Sequence, residues 1–102
     1  MYIVQPRPVL PPLKAYLSSI TTPNEYKILE KIITAESNWN PEAKNKLSTA
    51  SGLAQFINGT WEKWGQGEVF NPCDNLLAMV RLYRVQGVSP WEASRSKWDV
   101  DK

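Results

Sequence analysis

The sequence predicts a small, mostly α-helical domain with little or no sheet, and three observations support this fold class. Three segments carry a helix-start signal in which a capping residue precedes proline: Thr22-Pro23, Asn71-Pro72 and Ser89-Pro90. No segment shows the strict alternation of apolar and polar residues that is typical of a half-buried strand. At 102 residues, the chain has room for one hydrophobic core.

The first strong helix is predicted over Pro23–Ser37. Thr22 is its expected N-cap, Pro23 takes the first helical position, and Glu25 takes the third, where a carboxylate completes a capping box. The helix is expected to end before Pro41, because a residue that precedes proline avoids helical backbone angles.

A second strong helix is predicted to begin at Asn71-Pro72 and to stop near Gly87. Its apolar residues recur at helical spacing, which places Met79 in the core. Shorter helical segments are predicted in four places: Leu13–Ser19, Glu42–Asn45, Gly52–Trp64, and from Pro90 toward Trp98.

Residues 1–21 form a predicted Pro-rich lead-in ahead of a domain over residues 22–102. Four of the eight prolines lie between Gln5 and Pro12. Such a stretch resists helix formation and favours an extended, polyproline-like backbone. The first residues lack the charged-then-apolar pattern of a signal peptide.

Composition argues against several classes of protein. The net charge of +2 is mild and scattered, so no nucleic-acid partner is expected, although an anionic polymer surface would suit it. No apolar run approaches the roughly 20 residues of a membrane span. Histidine is absent and Cys73 is the single cysteine, which argues against a disulfide framework and a zinc site. No metal or cofactor is expected.

Glu36 is the main candidate for chemistry, because it closes the first strong helix on an apolar face. Ile32 and Ile33 lie four and three residues before it, and side chains at those spacings share a helix face. Partial burial of a carboxyl group favours its protonated form. A carboxylic acid in that form is what a general acid needs to protonate the leaving oxygen of a glycosidic bond.

Three runs carry a family resemblance: Glu36-Ser37-Asn38-Trp39-Asn40-Pro41-Glu42-Ala43, then Ser48-Thr49-Ala50-Ser51-Gly52-Leu53-Ala54-Gln55-Phe56-Ile57, then Thr60-Trp61. This ordered set resembles the soluble lytic transglycosylases. Its Gly52–Phe56 and Thr60-Trp61 elements are also similar to the resuscitation-promoting factors. The resemblance extends over residues 23–98 and is strongest between Glu36 and Trp61.

The resemblance implies a lysozyme-like helical domain over residues 22–102 that cleaves the β-1,4 bond between N-acetylmuramic acid and N-acetylglucosamine. In that family a glutamate matching Glu36 protonates the leaving oxygen, and the substrate's own N-acetyl group assists. The same glutamate then acts as a base, and a 1,6-anhydro product forms. The residues agree with a one-acid mechanism, because Glu42 is the only other acid between Glu36 and Gln55.

The resemblance also implies substrate contacts for Gln55 and Ser48, whereas Ser37 is expected to fix the backbone beside the acid. Trp39 matches a buried aromatic position. One of Trp61, Trp64 and Trp91 is expected at the groove. The chain departs from the family pattern at four places. Ala54 replaces a methionine, Thr49 replaces a glycine, Gly59 stands where proline is usual, and Pro90–Trp98 stands where the family has an Ala-Tyr-Asn motif.

Alternatives remain at this point. The same fold could act as a hydrolytic lysozyme, or serve as a non-catalytic cell-wall binding or virion structural module. A small helical DNA-binding domain is disfavoured, because the chain lacks a basic recognition helix. The expected partner is the peptidoglycan glycan strand, and the expected state is a monomer without membrane insertion. The expected location is extracytoplasmic, in the cell wall or periplasm, or in a phage virion. Export would then use another route, a segment outside this chain, or a phage particle.

Overall fold

The structure is a computed structural model that describes residues 12–99. Five α-helices and one 3₁₀ helix follow one another in this region: α1 (Pro12–Ser19), α2 (Pro23–Ser37), α3 (Asn58–Trp64), α4 (Pro72–Gln86), the 3₁₀ helix (Ser89–Ser94) and α5 (Arg95–Trp98). Within residues 12–99 the only β-pairing consists of two isolated bridges, Lys44 with Ser51 and Ser51 with Phe56. The predicted fold class is therefore confirmed.

Helix α2 has the predicted bounds and the predicted cap. The Glu25 N–H donates to Thr22 Oγ1 at 3.2 Å, and the Thr22 N–H donates to Glu25 Oε1 at 2.9 Å. Asn38 ends the helix with φ 52°, in the left-handed region. This backbone turn directs the chain away from α2 two residues after Glu36.

Helix α4 also begins as predicted. Asn71 Oδ1 accepts the N–H groups of Cys73 and Asp74 at 2.9 and 3.1 Å. Gly87 ends the helix with φ 67°, a conformation that glycine adopts without the penalty of a side chain. Met79 is fully buried, as predicted, whereas the thiol-bearing Cys73 is exposed.

The core lies where α1, α2 and α4 meet the C-terminal helices. Its fully buried large side chains are apolar with one exception, the amide of Asn75: Leu17, Leu29, Ile32, Ile33, Leu53, Leu76, Met79, Leu82 and Asn75. Trp91 and Trp98 close the core from the C-terminal segment.

Helix α1 lies inside the predicted lead-in, and its Leu17 belongs to the core. The segment Leu13–Ser19 is helical, as predicted. The extended stretch predicted from Gln5 lies outside the described residues, apart from Pro12 at the start of α1. The boundary predicted at residue 21 stays a prediction.

Two short helices are predicted after α2. The first, over residues 42–45, is wrong, and the second, over residues 52–64, is wrong in part. Residues 42–45 are not helical, because Asn40 Oδ1 accepts the Glu42 N–H and the next residues pair with residues 50–52. Of the segment predicted over residues 52–64, only α3 is helical. The preceding residues form a tight turn in which Gly52 and Gln55 have φ values of 83° and 58°.

The helix predicted from Pro90 is partly wrong as well. Ser89 does not cap it, because the Ser89 hydroxyl reaches back and donates to the Gln86 carbonyl at 3.3 Å. The segment forms a 3₁₀ helix with a kink at Trp91, and α-helical hydrogen bonding resumes only in α5. The 3₁₀ helix therefore begins after Val88 without a side-chain cap.

An ion pair joins the start of α2 to the end of α4. Arg84 donates to both carboxylate oxygens of Glu25 at 2.9 Å. The Arg84 guanidinium, together with the Thr22 N–H, lowers the pKa of Glu25 to about 2. This pair connects the two longest helices at the protein surface.

We expect Arg84→Gln to lower the melting temperature above pH 5 and to have a shrinking effect as the pH falls toward 2. The folded pKa of Glu25 lies below its ordinary value of 4.5, so the stabilisation is present above that value and is lost on acidification. Thermal melts across pH test this. Arg81→Gln is the control, because Arg81 has no ion-pair partner within residues 12–99. An equal shift at every pH would contradict the expectation.

In residues 12–99, no helix combines the length and apolar character needed to cross a membrane.

Candidate functional site

Glu36 lies in the last turn of α2, half-buried, one turn after the fully buried Ile32 and Ile33. Its helix face therefore follows the prediction. Ser94 Oγ donates to Glu36 Oε2 at 2.5 Å. The other carboxylate oxygen, Oε1, has no hydrogen-bond partner among the described residues. One oxygen of the acid is thus held by the protein and the other is available to a ligand.

Ser94 belongs to a small network built by the C-terminal segment. Its hydroxyl also lies 3.1 Å from the Trp91 carbonyl, and it accepts the indole N–H of Trp98 at 3.0 Å. Both tryptophans are buried. The hydroxyl that contacts Glu36 is therefore fixed in place from the core side.

Ser37 connects the end of α2 to the loop that precedes α3. Its hydroxyl lies 2.8 Å from the Leu53 carbonyl and 3.3 Å from the Ile33 carbonyl, both as acceptors. The predicted role in fixing the backbone beside Glu36 is consistent with these bonds. This connection sets the position of the loop relative to the acid.

Trp39 is half-buried rather than fully buried, which corrects the predicted core position. Its backbone has φ 65°, and its indole N–H donates to Thr34 Oγ1 at 3.0 Å. The Lys14 ammonium lies 5.3 Å from the ring centroid. The left-handed backbone directs the ring along the outside of α2, where it packs against the edge of the core.

Gln55 sits at the end of the tight turn over residues 52–55. Its side-chain N–H groups donate to the carbonyls of Gly52 at 2.9 Å and Ala43 at 3.2 Å. These bonds hold the left-handed Gln55 backbone and fix the amide orientation. Its Oε1 has no partner within residues 12–99, so Gln55 offers an acceptor to a ligand and not the donor that the sequence also allowed.

Asn75 of α4 supports the same turn from beneath. Its Oδ1 accepts the Ala54 N–H at 2.9 Å, and its Nδ2 donates to the Val69 carbonyl at 2.8 Å. Asn75 is fully buried, and a Cβ on Gly52 would lie 2.2 Å from its amide nitrogen. Gly52 is therefore required for close packing as well as for its positive φ.

A cleft of about 400 Å³ lies beside this turn, between α3, the end of α4 and the 3₁₀ helix. Its lining is mixed apolar and polar and contains no carboxylate: Ala54, Gln55, Phe56, Ile57, Gly59, Thr60, Lys63, Trp64, Leu82, Gln86, Pro90 and Trp91. Two of the three candidate groove tryptophans, Trp64 and Trp91, line it. Trp61 instead packs edge-on against Phe56 at a centroid distance of 5.3 Å.

The structure links Glu36 to this cleft indirectly. Glu36 does not line it, whereas Gln55 does. Trp91 joins the two, since it precedes Ser94 in the 3₁₀ helix and its indole N–H donates to the Ala54 carbonyl at 3.0 Å. The 3₁₀ helix therefore contacts Glu36 through Ser94 and lines the cleft through Trp91.

Ser48 is separate from both. It lies on an exposed loop, and its hydroxyl oxygen accepts the Ala50 N–H at 3.1 Å. Among residues 12–99, no group of His, Cys, Asp or Glu side chains is placed to hold a metal ion.

Two residues of the site were missed at the level of sequence, Ser94 and Asn75. Ser94 lies 58 residues from Glu36, and a serine in a short helical segment carries no signal of its own. Asn75 had a detectable signal: it is a polar residue adjacent to Leu76 on the apolar face of α4, where an amide needs buried partners.

The chain matches a known protein family. A family model described as Transglycosylase SLT domain matches residues 20–85, more than half of the chain. No curated protein and no solved structure matches the chain significantly.

Proposed function

The chain belongs to the transglycosylase SLT family, and from this premise we propose that Glu36 is its single catalytic acid and base. Family membership indicates a lytic transglycosylase that acts on peptidoglycan. The observation that carries the assignment is the state of the Glu36 carboxylate: it is half-buried at the end of α2 and held through one oxygen by Ser94, and its other oxygen has no partner among residues 12–99.

The first step would be proton transfer to the bridging oxygen of the bond between N-acetylmuramic acid and N-acetylglucosamine. The Glu36 O–H gives its proton to that oxygen as the C1–O bond breaks. The carbonyl oxygen of the muramic N-acetyl group forms a bond to C1 and takes up the positive charge. The N-acetylglucosamine side leaves with a free 4-hydroxyl.

The second step would return the proton. The Glu36 carboxylate takes the proton of the 6-hydroxyl while O6 forms a bond to C1 and the bond from C1 to the acetyl oxygen breaks. The product is a 1,6-anhydro-muramic end, and Glu36 is protonated again. No water is consumed and no second carboxylate takes part, which sets this route apart from the two-carboxylate mechanisms.

The acids nearest to Glu36 along the chain support this one-acid route. Glu30 and Glu42 each lie six residues from Glu36. Six residues of helix place Glu30 on a different face of α2 from Glu36, and Glu42 is exposed after the helix has ended.

Gln55 and Ser48 are the proposed substrate contacts. Gln55 Oε1 is free to accept a hydrogen bond from a sugar hydroxyl or an N-acetyl N–H. The Ser48 hydroxyl hydrogen is free to donate, from a loop outside the cleft. Trp64 adds an aromatic surface on which a sugar ring can pack.

The proposed partner is the glycan strand of peptidoglycan, bound by a monomer. The proposed place of action is where that polymer lies, in the cell wall or periplasm, reached from a bacterial cell or from a phage virion. The proposed substrate supports this location, because peptidoglycan lies outside the cytoplasm.

The product mass tests the chemistry. Mass spectrometry of fragments released from purified peptidoglycan is expected to show muropeptides one water lighter than hydrolysis products, because O6 replaces water. Reducing-end products of normal mass would instead identify a hydrolytic lysozyme. Binding to insoluble peptidoglycan without any released fragment would indicate a non-catalytic cell-wall or virion module.

A further inference from the structure

The Ser94 hydroxyl has two hydrogen-bond acceptors within reach but one hydrogen to donate. It lies within hydrogen-bond distance of two acceptors, Glu36 Oε2 at 2.5 Å and the Trp91 carbonyl at 3.1 Å. It also accepts one donor, the Trp98 indole N–H at 3.0 Å. A serine hydroxyl has one hydrogen and two acceptor lone pairs. The single hydrogen therefore has two alternative acceptors.

The Ser94 bond can form in both protonation states of Glu36. When Glu36 is ionised, the Ser94 hydrogen is donated to Oε2. When Oε1 carries the proton, Oε2 is the carbonyl oxygen of the acid and still accepts the Ser94 hydrogen. The Trp98 indole N–H donates to the Ser94 oxygen in both states, and no heavy atom has to move.

The surroundings of Ser94 make this arrangement rigid. Trp91 and Trp98 are 4% and 3% exposed, and the indole N–H of Trp91 is bound to the Ala54 carbonyl. A hydroxyl group that buried neighbours already hold in place loses little conformational entropy when it binds a partner. The network is thus suited to hold a carboxyl group in one orientation throughout a reaction.

We propose that Ser94 is a positioning residue that holds one oxygen of Glu36 in both protonation states and so reserves the other oxygen for the glycosidic bond. This rests on the assignment of Glu36 as catalytic acid. Oε1, the oxygen without a partner among residues 12–99, is then the one that gives and takes the proton. Ser94 lies in the segment that stands in place of the family's Ala-Tyr-Asn motif.

The test compares three Ser94 variants with wild type in a kinetic assay on soluble peptidoglycan strands. Ser94→Ala is expected to lower kcat about 10- to 100-fold with KM nearly unchanged, since a hydrogen bond to a charged group is lost. Ser94→Thr, which keeps a hydroxyl, is expected to retain most of the activity. Ser94→Val, which has nearly the shape of threonine without the hydroxyl, is expected to be as slow as Ser94→Ala.

The controls separate positioning from folding. Ser89→Ala removes a hydroxyl from the same 3₁₀ helix and is expected to leave kcat unchanged, because among residues 12–99 the Ser89 hydroxyl bonds only to the Gln86 carbonyl. If a thermal melt shows that Ser94→Ala is unfolded, the comparison of Ser94→Thr with Ser94→Val tests the proposal instead. Equal activity of Ser94→Thr and Ser94→Val, or wild-type kcat in Ser94→Ala, would overturn the proposal.

Glu36→Gln in the same assay distinguishes failure of the Ser94 positioning role from failure of the Glu36 catalytic assignment. An inactive Glu36→Gln protein with a fully active Ser94→Ala protein would refute the positioning role alone. A fully active Glu36→Gln protein would refute the proposed catalytic assignment itself, whatever the Ser94 variants do.

Discussion

Replacing Glu36 by glutamine is expected to lower kcat about 1,000-fold, because general acid–base catalysis by one group contributes roughly 10²–10⁴ in rate. Glutamine keeps the shape of the side chain and an oxygen that can accept the Ser94 hydrogen, but it has no proton to give to the leaving oxygen. Release of soluble muropeptides, measured against wild type, reports the loss.

The fold is expected to survive this change, since the side chain is half-buried and its one hydrogen bond to Ser94 can still form. A melting temperature close to that of wild type is the check. Glu42→Gln is the matched control, an exposed acid six residues later, and is expected to keep full activity. Loss of activity in Glu42→Gln as well would contradict the one-acid mechanism.

Replacing Asn75 by alanine is expected to cost about 2–4 kcal/mol of unfolding free energy, the largest effect on stability that we expect. The change removes the Asn75 partner of the buried Ala54 N–H and of the partly buried Val69 carbonyl. Each buried polar group that loses its partner costs roughly 1–3 kcal/mol. In a domain of this size, the melting temperature would fall by roughly 10–20 °C.

Chemical denaturation of wild type and Asn75→Ala measures the difference. Asn58→Ala is the control, because Asn58 is exposed and its side chain makes no hydrogen bond within residues 12–99. Its expected effect is within about 0.5 kcal/mol. If Asn75→Ala were as stable as this control, Asn75 would not be the support of the Gln55 turn.

The long helices could be predicted because their signals are local. The start of α2 is encoded by Thr22, Pro23 and Glu25 within four residues, and the bonds among them are those of an isolated capping box. The start of α4 at Asn71 and its end at Gly87 are encoded in the same way. Glu36 could be placed for the same reason, since spacing along a helix fixes its face.

The loop between α2 and α3 could not be predicted because its backbone bonds are not local. The Gly52 N–H bonds to the carbonyl of Ala43, nine residues earlier, and Asn75 supports the turn from 21 residues away. Gln55 was found by resemblance, but the internal bonds that leave it only an acceptor depend on this loop geometry. The Ser94 contact with Glu36 depends on the packing of two tryptophans and is not encoded near either residue.

The position of Ser94 relative to the family match has a consequence for the site. The match ends at residue 85, while Ser94 and the Trp98 that holds it come after that point. Glu36 therefore lies inside the matched region, and its hydrogen-bond partner lies outside it. A substitution at Ser94 or Trp98 would change the contacts of the acid without altering any residue of the matched region.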